Sequence, residues 1–155
     1  MTNSVTWSHD KPSPHFSRVA RAVCMTVLCA LLGVGCATSM RVQVQSSKDT
    51  NDGKPLYMLV RAVDSRALVS ESYADASALV FTTKKDPTVK HVQAIMPGTE
   101  INVTIPTPES SDVALYFFYT QPGDQWRIPL TQPLPSDIVV ELGSNQIKRA
   151  SVRRK

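Results

Sequence analysis

Residues 89–105 read VKHVQAIMPGTEINVTI. Before the turn, Val92 and Ala94 alternate with His91 and Gln93; after it, Ile101, Val103 and Ile105 alternate with Glu100, Asn102 and Thr104. A period of two sends every second side chain to one face, as in a half-buried strand. Between the runs stands Pro97-Gly98. Pro fixes φ at the first central position of a tight turn, and Gly takes positive φ at the second. The stretch predicts a β-hairpin with Val92 and Ala94 inward and His91 on the polar, exposed face.

The same period extends on both sides. Upstream, Met40, Val42 and Val44 alternate with Arg41, Gln43 and Gln45. The polar stretch 46–54 follows, and its Asn51-Asp52-Gly53 tolerates positive φ and reads as a turn. Pro55 to Val63 is almost continuously apolar, which places it centrally in a sheet. Downstream, Val113 to Thr120 is the strongest strand, β-branched and aromatic. Gln125 to Leu130 carries Pro129, which suits an edge strand. Ile138 to Leu142 and Gln146 to Val152 complete the strands. Only residues 70–80 change period: Tyr73, Ala76, Leu79 and Val80 predict a helix over about Glu71–Val80 with Ser70 as its cap. Short strands with turn signals at about 8–12-residue spacing, plus one short helix, give an all-β chain folded as an antiparallel two-sheet β-sandwich.

The N-terminal part follows other rules. Residues 21–36 read RAVCMTVLCALLGVGC, with Lys11, Arg18 and Arg21 as a basic lead-in. The apolar run falls short of the ~20 residues that span a bilayer. Small residues directly before Cys36 suit a lipoprotein signal peptidase, so residues 1–35 read as a lipoprotein signal peptide and Cys36 as the acylated first residue. Residues 36–147 are then the folded domain and 148–155 a basic C-terminal tail. Cys24 and Cys29 leave with the signal, so no intrachain disulfide remains.

Charge and residue inventory narrow the function. Residues 36–147 carry 9 Lys and Arg against 12 Asp and Glu, and the tail adds five cations in eight positions. The basic pI belongs to the ends, a pattern unlike the basic face of a nucleic-acid binder. Beyond Cys36 there is one histidine, His91, which leaves little for a catalytic triad or a zinc site. Asp49 and Asp52 are too few for calcium and read as turn formers and solvated charge. No cofactor motif stands out, and the chain reads as a non-enzyme. Trp126 is expected to fill the sandwich core, with Arg127 pointing outward or pairing with a carboxylate. The tail is expected to be a frayed, solvated end or a contact to anionic lipid.

In their order, several features resemble the TssJ (SciN) lipoprotein family of type VI secretion systems. They are Cys36, the strand Pro55-Leu56-Tyr57-Met58-Leu59, the helical Tyr73-Ala74-Asp75 with Leu79, Met96-Pro97-Gly98 opening a strand, and an aromatic strand ending at Tyr119 before Trp126-Arg127. The resemblance covers Cys36 to about Ile147. It implies a transthyretin-like sandwich with an added helix, lipid-anchored at Cys36 on the periplasmic face of the outer membrane. It also implies binding to the periplasmic C-terminal domain of TssM, with TssL in the same complex. The implied partner-binding residues are the first loop, Ser46, Ser47, Lys48, Asp49, Thr50, Asn51, Asp52, Gly53 and Lys54, joined by Gln132 and Pro133 of the Pro-rich loop 131–137. The alternative reading is an envelope lipoprotein that binds a small ligand or cell-envelope polymer, which a deep apolar pocket would favour.

Overall fold

The computed structural model describes residues 39–82 and 86–154. The signal-peptide and lipidation expectations, on residues 1–35 and Cys36, lie outside the described residues. In chain order the strands are β1 (Ser39–Ser46), β2 (Leu56–Val63), β3 (Val89–Ile95), β4 (Glu100–Pro106), β5 (Asp112–Phe118), β6 (Arg127–Leu130), β7 (Asp137–Leu142) and β8 (Ile147–Arg153). They form two four-stranded sheets, ordered β4-β1-β7-β8 and β3-β2-β5-β6. Neighbours are antiparallel except β1 and β7, which run parallel. The expected two-sheet sandwich is the architecture found. As the apolar patterns required, β2 and β5 are central, and Pro129 sits on the edge strand β6.

Both sheets supply the core between them. Met40, Val42 and Val44 of β1 meet Met58, Val60, Leu115 and Phe117 of the facing sheet, with Ile105, Ile138, Val140 and Leu142 filling in. Burying each such side chain contributes about 1.5–3 kcal/mol, and all of these residues lie between Met40 and Ile147, so the core closes within the domain. The outer face of the first sheet is polar and, among the described residues, uncovered. It shows Gln43 donating to Glu100 at 2.8 Å and a loose Arg149–Glu141 pair at 4.0 Å.

The outer face of the second sheet is covered by two short helices, α1 (Ser65–Ser70) and α2 (Tyr73–Phe81). Asp64 caps α1 by accepting from the Arg66 amide. The expected cap Ser70 ends α1 instead, and Ser72 caps α2. Its hydroxyl accepts from the Asp75 amide at 3.1 Å and donates to the Asp75 carboxylate at 2.6 Å. That reciprocal pair satisfies the first-turn amide better than a serine two residues earlier could. Under the helices, Leu59, Leu68, Ala76, Ala114 and Tyr116 form a second apolar cluster. Trp126 belongs here rather than in the inter-sheet core, half-buried against Tyr73 (5.0 Å between ring centroids) and Tyr116 (5.8 Å). The Arg127 guanidinium stacks over its indole at 4.8 Å. Arg127 neither points away nor finds a carboxylate; it donates to the Leu68 carbonyl at 2.7 Å and the Glu71 carbonyl at 3.1 Å, closing the end of α1. Glu71 anchors the joint between the helices. Its carboxylate accepts from Arg61 of β2 and from the Tyr116 hydroxyl at 2.5 Å.

Two expectations fail for long-range reasons. Residues 89–105 are no hairpin: β3 lies in one sheet and β4 in the other, so Met96 to Thr99 bridges the sandwich. A two-residue hairpin would put Ile95 and Ile101 on opposite faces. Crossing between sheets lets Ile95 (0% exposed) and Ile101 enter the same core. β3 consequently turns over. His91 pairs with Val60 and Gln93 with Met58, both core-facing, while Val92 is 39% exposed on the outer face. The strand expected over Gln146–Val152 is β8, and it runs to Arg153, so 148–153 is not a frayed end. It is paired along β7, Ile138 with Val152 and Asp137 with Arg153.

Candidate partner-binding surface

The register fixes two poles. β1 begins at Ser39 opposite Pro106, beside the start of β7 and the end of β8. This proximal pole is three residues from Cys36. The far pole gathers residues 46–55, 96–99, 119–126 and 143–146, roughly 23 Å away along the eight residues of β1.

The first loop is built into the distal pole. Asn51, Asp52 and Gly53 take φ of 55°, 54° and 73°, the left-handed turn that their sequence predicts. Asn51 is 3% exposed and ties three segments of this pole together. Its amide group donates to the carbonyls of Lys54 (3.2 Å) and Pro55 (2.9 Å), and its side-chain oxygen accepts the Thr120 amide at 2.7 Å. Its backbone amide donates to Ser144 at 2.7 Å. Thr50 is fully buried against the Leu142 carbonyl, 3.4 Å away. The Gly98 amide donates to Ser47, and the Ser46 hydroxyl donates to the carbonyls of Met96 (3.0 Å) and Thr99 (2.8 Å). Gly98 has φ of 75° and lies under the Lys48 side chain, where a Cβ would come within 3.2 Å of its chain. The Gly123 amide donates to Asn145 at 2.8 Å, so the last two connections are stapled as well.

Of the residues implied by resemblance, Ser47, Lys48, Asp49, Asp52, Gly53 and Lys54 are exposed at this pole, and Ser46 is half-buried. Thr50 and Asn51 hold the loop from inside. Gln132 and Pro133 are not brought to them. They sit at the proximal pole in an open groove of about 730 Å³ with Ser39, Pro108, Leu134, Pro135 and Arg154. There Gln132 donates to the Ser111 carbonyl at 2.8 Å and its amide donates to Asp112 at 3.0 Å. Sequence reading missed Met96 (55% exposed) and the turn at 143–146, which share the distal pole with the first loop. Their turn chemistry was legible, but their common location needed the strand directions.

Behind the pole, the Tyr73 hydroxyl donates to the Tyr119 carbonyl at 2.6 Å. Burial, against that hydrogen bond, pushes the Tyr73 hydroxyl up to about 12. Burial also raises Tyr119, whose hydroxyl is enclosed without a hydrogen-bond partner among the described residues. These groups stay neutral and structural at ordinary pH. Among the described residues no helix is long and apolar enough to cross a membrane.

Comparison with known proteins agrees with this geometry. The T6SS lipoprotein TssJ1 from Pseudomonas aeruginosa superposes with a TM-score of 0.58 at 15% identity, covering 77% of this chain and 98% of that one. A chain of a type VI membrane complex gives 0.57 at 16% identity over 72% and 96%. A chain in the structure of the T6SS protein TssM C-terminal domain from EAEC gives 0.52 at 16% identity over 70% and 98%. No curated protein matches in sequence. The fold is that of the type VI TssJ lipoproteins. The model of the IglE N-terminal domain matches residues 57–142, more than half of the sequence, and the chain belongs to that family.

Proposed function

We propose that this chain is an outer-membrane lipoprotein of a type VI secretion membrane complex, acylated at Cys36, that holds the periplasmic C-terminal domain of TssM in an assembly with TssL. It acts as a tether and performs no catalysis. The observation that carries the reading is the separation of the two poles. A lipid at Cys36 keeps the proximal pole against the outer membrane. A partner rising from the inner membrane then meets the braced distal loops first, where Lys48, Asp49, Asp52, Lys54 and Met96 stand exposed. Bracing matters because loops fixed in advance lose little conformational freedom on binding. The Pro-rich loop, with Gln132 and Pro133, faces the membrane in this arrangement and is left out of the TssM interface. The alternative of a ligand carrier gains no support from the interior, which Met40, Phe117, Leu115 and their neighbours fill.

The test is a pull-down of domain 39–155 against the periplasmic part of the TssM encoded in the same cell. Saturable binding that Asp49→Lys with Met96→Asp abolishes, while Gln132→Ala leaves it intact, is the expected result. A folded domain that does not bind, or one whose binding ignores the distal pair, refutes the assignment.

A further inference from the structure

The strand directions bring the two ends of the domain together. β1 and β7 are parallel, and β8 returns antiparallel to β7, so the chain ends beside the point where β1 begins. Register places Arg41 against Asp137 and Asp137 against Arg153, one cross-strand row on the bare face. Arg154 follows and lines the groove with Ser39, Leu134 and Pro135. All three arginines are exposed. The carboxylates of this pole keep their charge but are mostly held in hydrogen bonds, Asp86 among them, accepting from Thr88 at 2.8 and 2.6 Å. Asp137 accepts from Ser136 at 2.8 Å and faces Arg41 at 3.9 Å, Asp112 accepts the Gln132 amide, and Asp64 caps α1. Glu109 stands across the groove.

We infer that this corner, Arg41, Arg153 and Arg154 around the Pro-lined groove, docks on the anionic phospholipid headgroups of the membrane that carries the lipid. The inference rests on the acylation of Cys36 for its orientation. Three residues extend at most ~11 Å, the same order as the ~8 Å Debye length at physiological salt, so the corner is held where headgroup phosphates act on it. Guanidinium groups suit phosphate oxygens, and Leu134 and the prolines suit the less polar zone beneath them. The lipid at Cys36 attaches the domain without fixing its orientation, and a basic patch beside it adds an orienting contact to the same surface. The domain is thereby oriented as well as attached, with its distal pole aimed away from the bilayer.

Domain 39–155 contains no cysteine and carries no lipid, so its vesicle binding is independent of acylation. Acylation is read separately from the mass of the Cys36 peptide in cells. Cosedimentation at low salt with vesicles of mixed phosphatidylglycerol and phosphatidylcholine is expected to show binding that pure phosphatidylcholine does not give. Each arginine contributes about fivefold, so Arg41→Gln, Arg153→Gln and Arg154→Gln together should lower partitioning on the order of 100-fold. The exposed distal pair Lys48→Gln and Lys54→Gln should leave it unchanged. A fluorophore on Ser110→Cys should be quenched by headgroup-labelled lipid and one on Asn145→Cys should not. Equal binding to neutral vesicles, equal losses from the distal pair, or quenching at Asn145 overturns the inference.

Discussion

Replacing Asn51 should loosen the whole distal pole. Its side chain satisfies one half-buried amide bond, that from Thr120, and two carbonyls, those of Lys54 and Pro55. Asn51→Ala removes all three bonds at a position only 3% exposed. An unsatisfied buried group costs about 1–3 kcal/mol, and water reaching the new space recovers part of that. The backbone adds to the loss: φ of 55° suits asparagine, and alanine there costs roughly 1–2 kcal/mol more. The expected total is about 3–5 kcal/mol, a large share of the roughly 5–15 kcal/mol that holds a domain folded. Asn51→Gly should recover about 1 kcal/mol of it, because glycine accepts positive φ while the hydrogen bonds stay lost. Asn51→Asp keeps an acceptor for Thr120 but turns a second oxygen toward two carbonyls. Urea unfolding of domain 39–155 measures the energies, and hydrogen exchange of the Thr120 amide reports the local opening. A cost below about 1 kcal/mol for Asn51→Ala, or unchanged Thr120 protection, refutes the reasoning.

Other positions give separate tests. Glu71→Gln should cost about 2–3 kcal/mol in chemical denaturation, because it withdraws the charge from Arg61, itself only 23% exposed, and weakens the bond from Tyr116. In an Arg61→Met background the same change should cost much less; equal costs would mean the pair is not coupled. Tyr119→Phe deletes a buried hydroxyl that has no partner among the described residues, and should leave the melting temperature unchanged or raise stability by up to ~1 kcal/mol. A clear loss would reveal a partner. Alkaline pH should destabilise the domain. An unfolded tyrosine releases its proton near pH ~10, whereas folded Tyr73 keeps it to about 12, so stability is full below the first value and falls as pH rises toward the second. Tyr73→Phe should flatten that part of the stability–pH curve, measured by urea unfolding across the range; an unchanged slope would place the titration elsewhere.

Local pattern carried the fold a long way. Met40, Val42 and Val44, and Ile101, Val103 and Ile105, announced their strands because each alternates cleanly with polar residues and faces one filled core. Asn51-Asp52-Gly53 announced its turn because the backbone there needs residues that accept positive φ. Less legible was anything set by distant pairing. A strand at the margin of the sandwich can turn His91 and Gln93 inward, even with the His91 Nε2 enclosed and without a hydrogen-bond partner among the described residues, so alternation alone misread the face of β3. The Pro97-Gly98 turn serves a hairpin or a crossing equally well, and Ile95 decided between them through a core it shares with the other sheet. Trp126 was drawn to the helices by Tyr73 and Arg127, partners more than fifty and one residue away. The candidate surface was less legible: strand direction puts the first loop at one end of the sandwich, and Gln132 and Pro133, named with it, at the other.

The course of β1 from one pole to the other also decides how the domain carries load. A pull between an anchor before Ser39 and a partner on the loop after Ser46 runs straight along β1. That strand is held over its length by β4 on one side and β7 on the other. Both attachment points lie on that one strand, so tension in this direction is borne by its covalent, already extended backbone, and neither ladder has to break. Had the anchor and the partner engaged the same end of two neighbouring strands, the bonds would open one after another like a zipper, at far lower force. Under the proposed function the domain is thus a tensile link, stiff along the line from membrane to partner, with the load on covalent bonds rather than on the sheet.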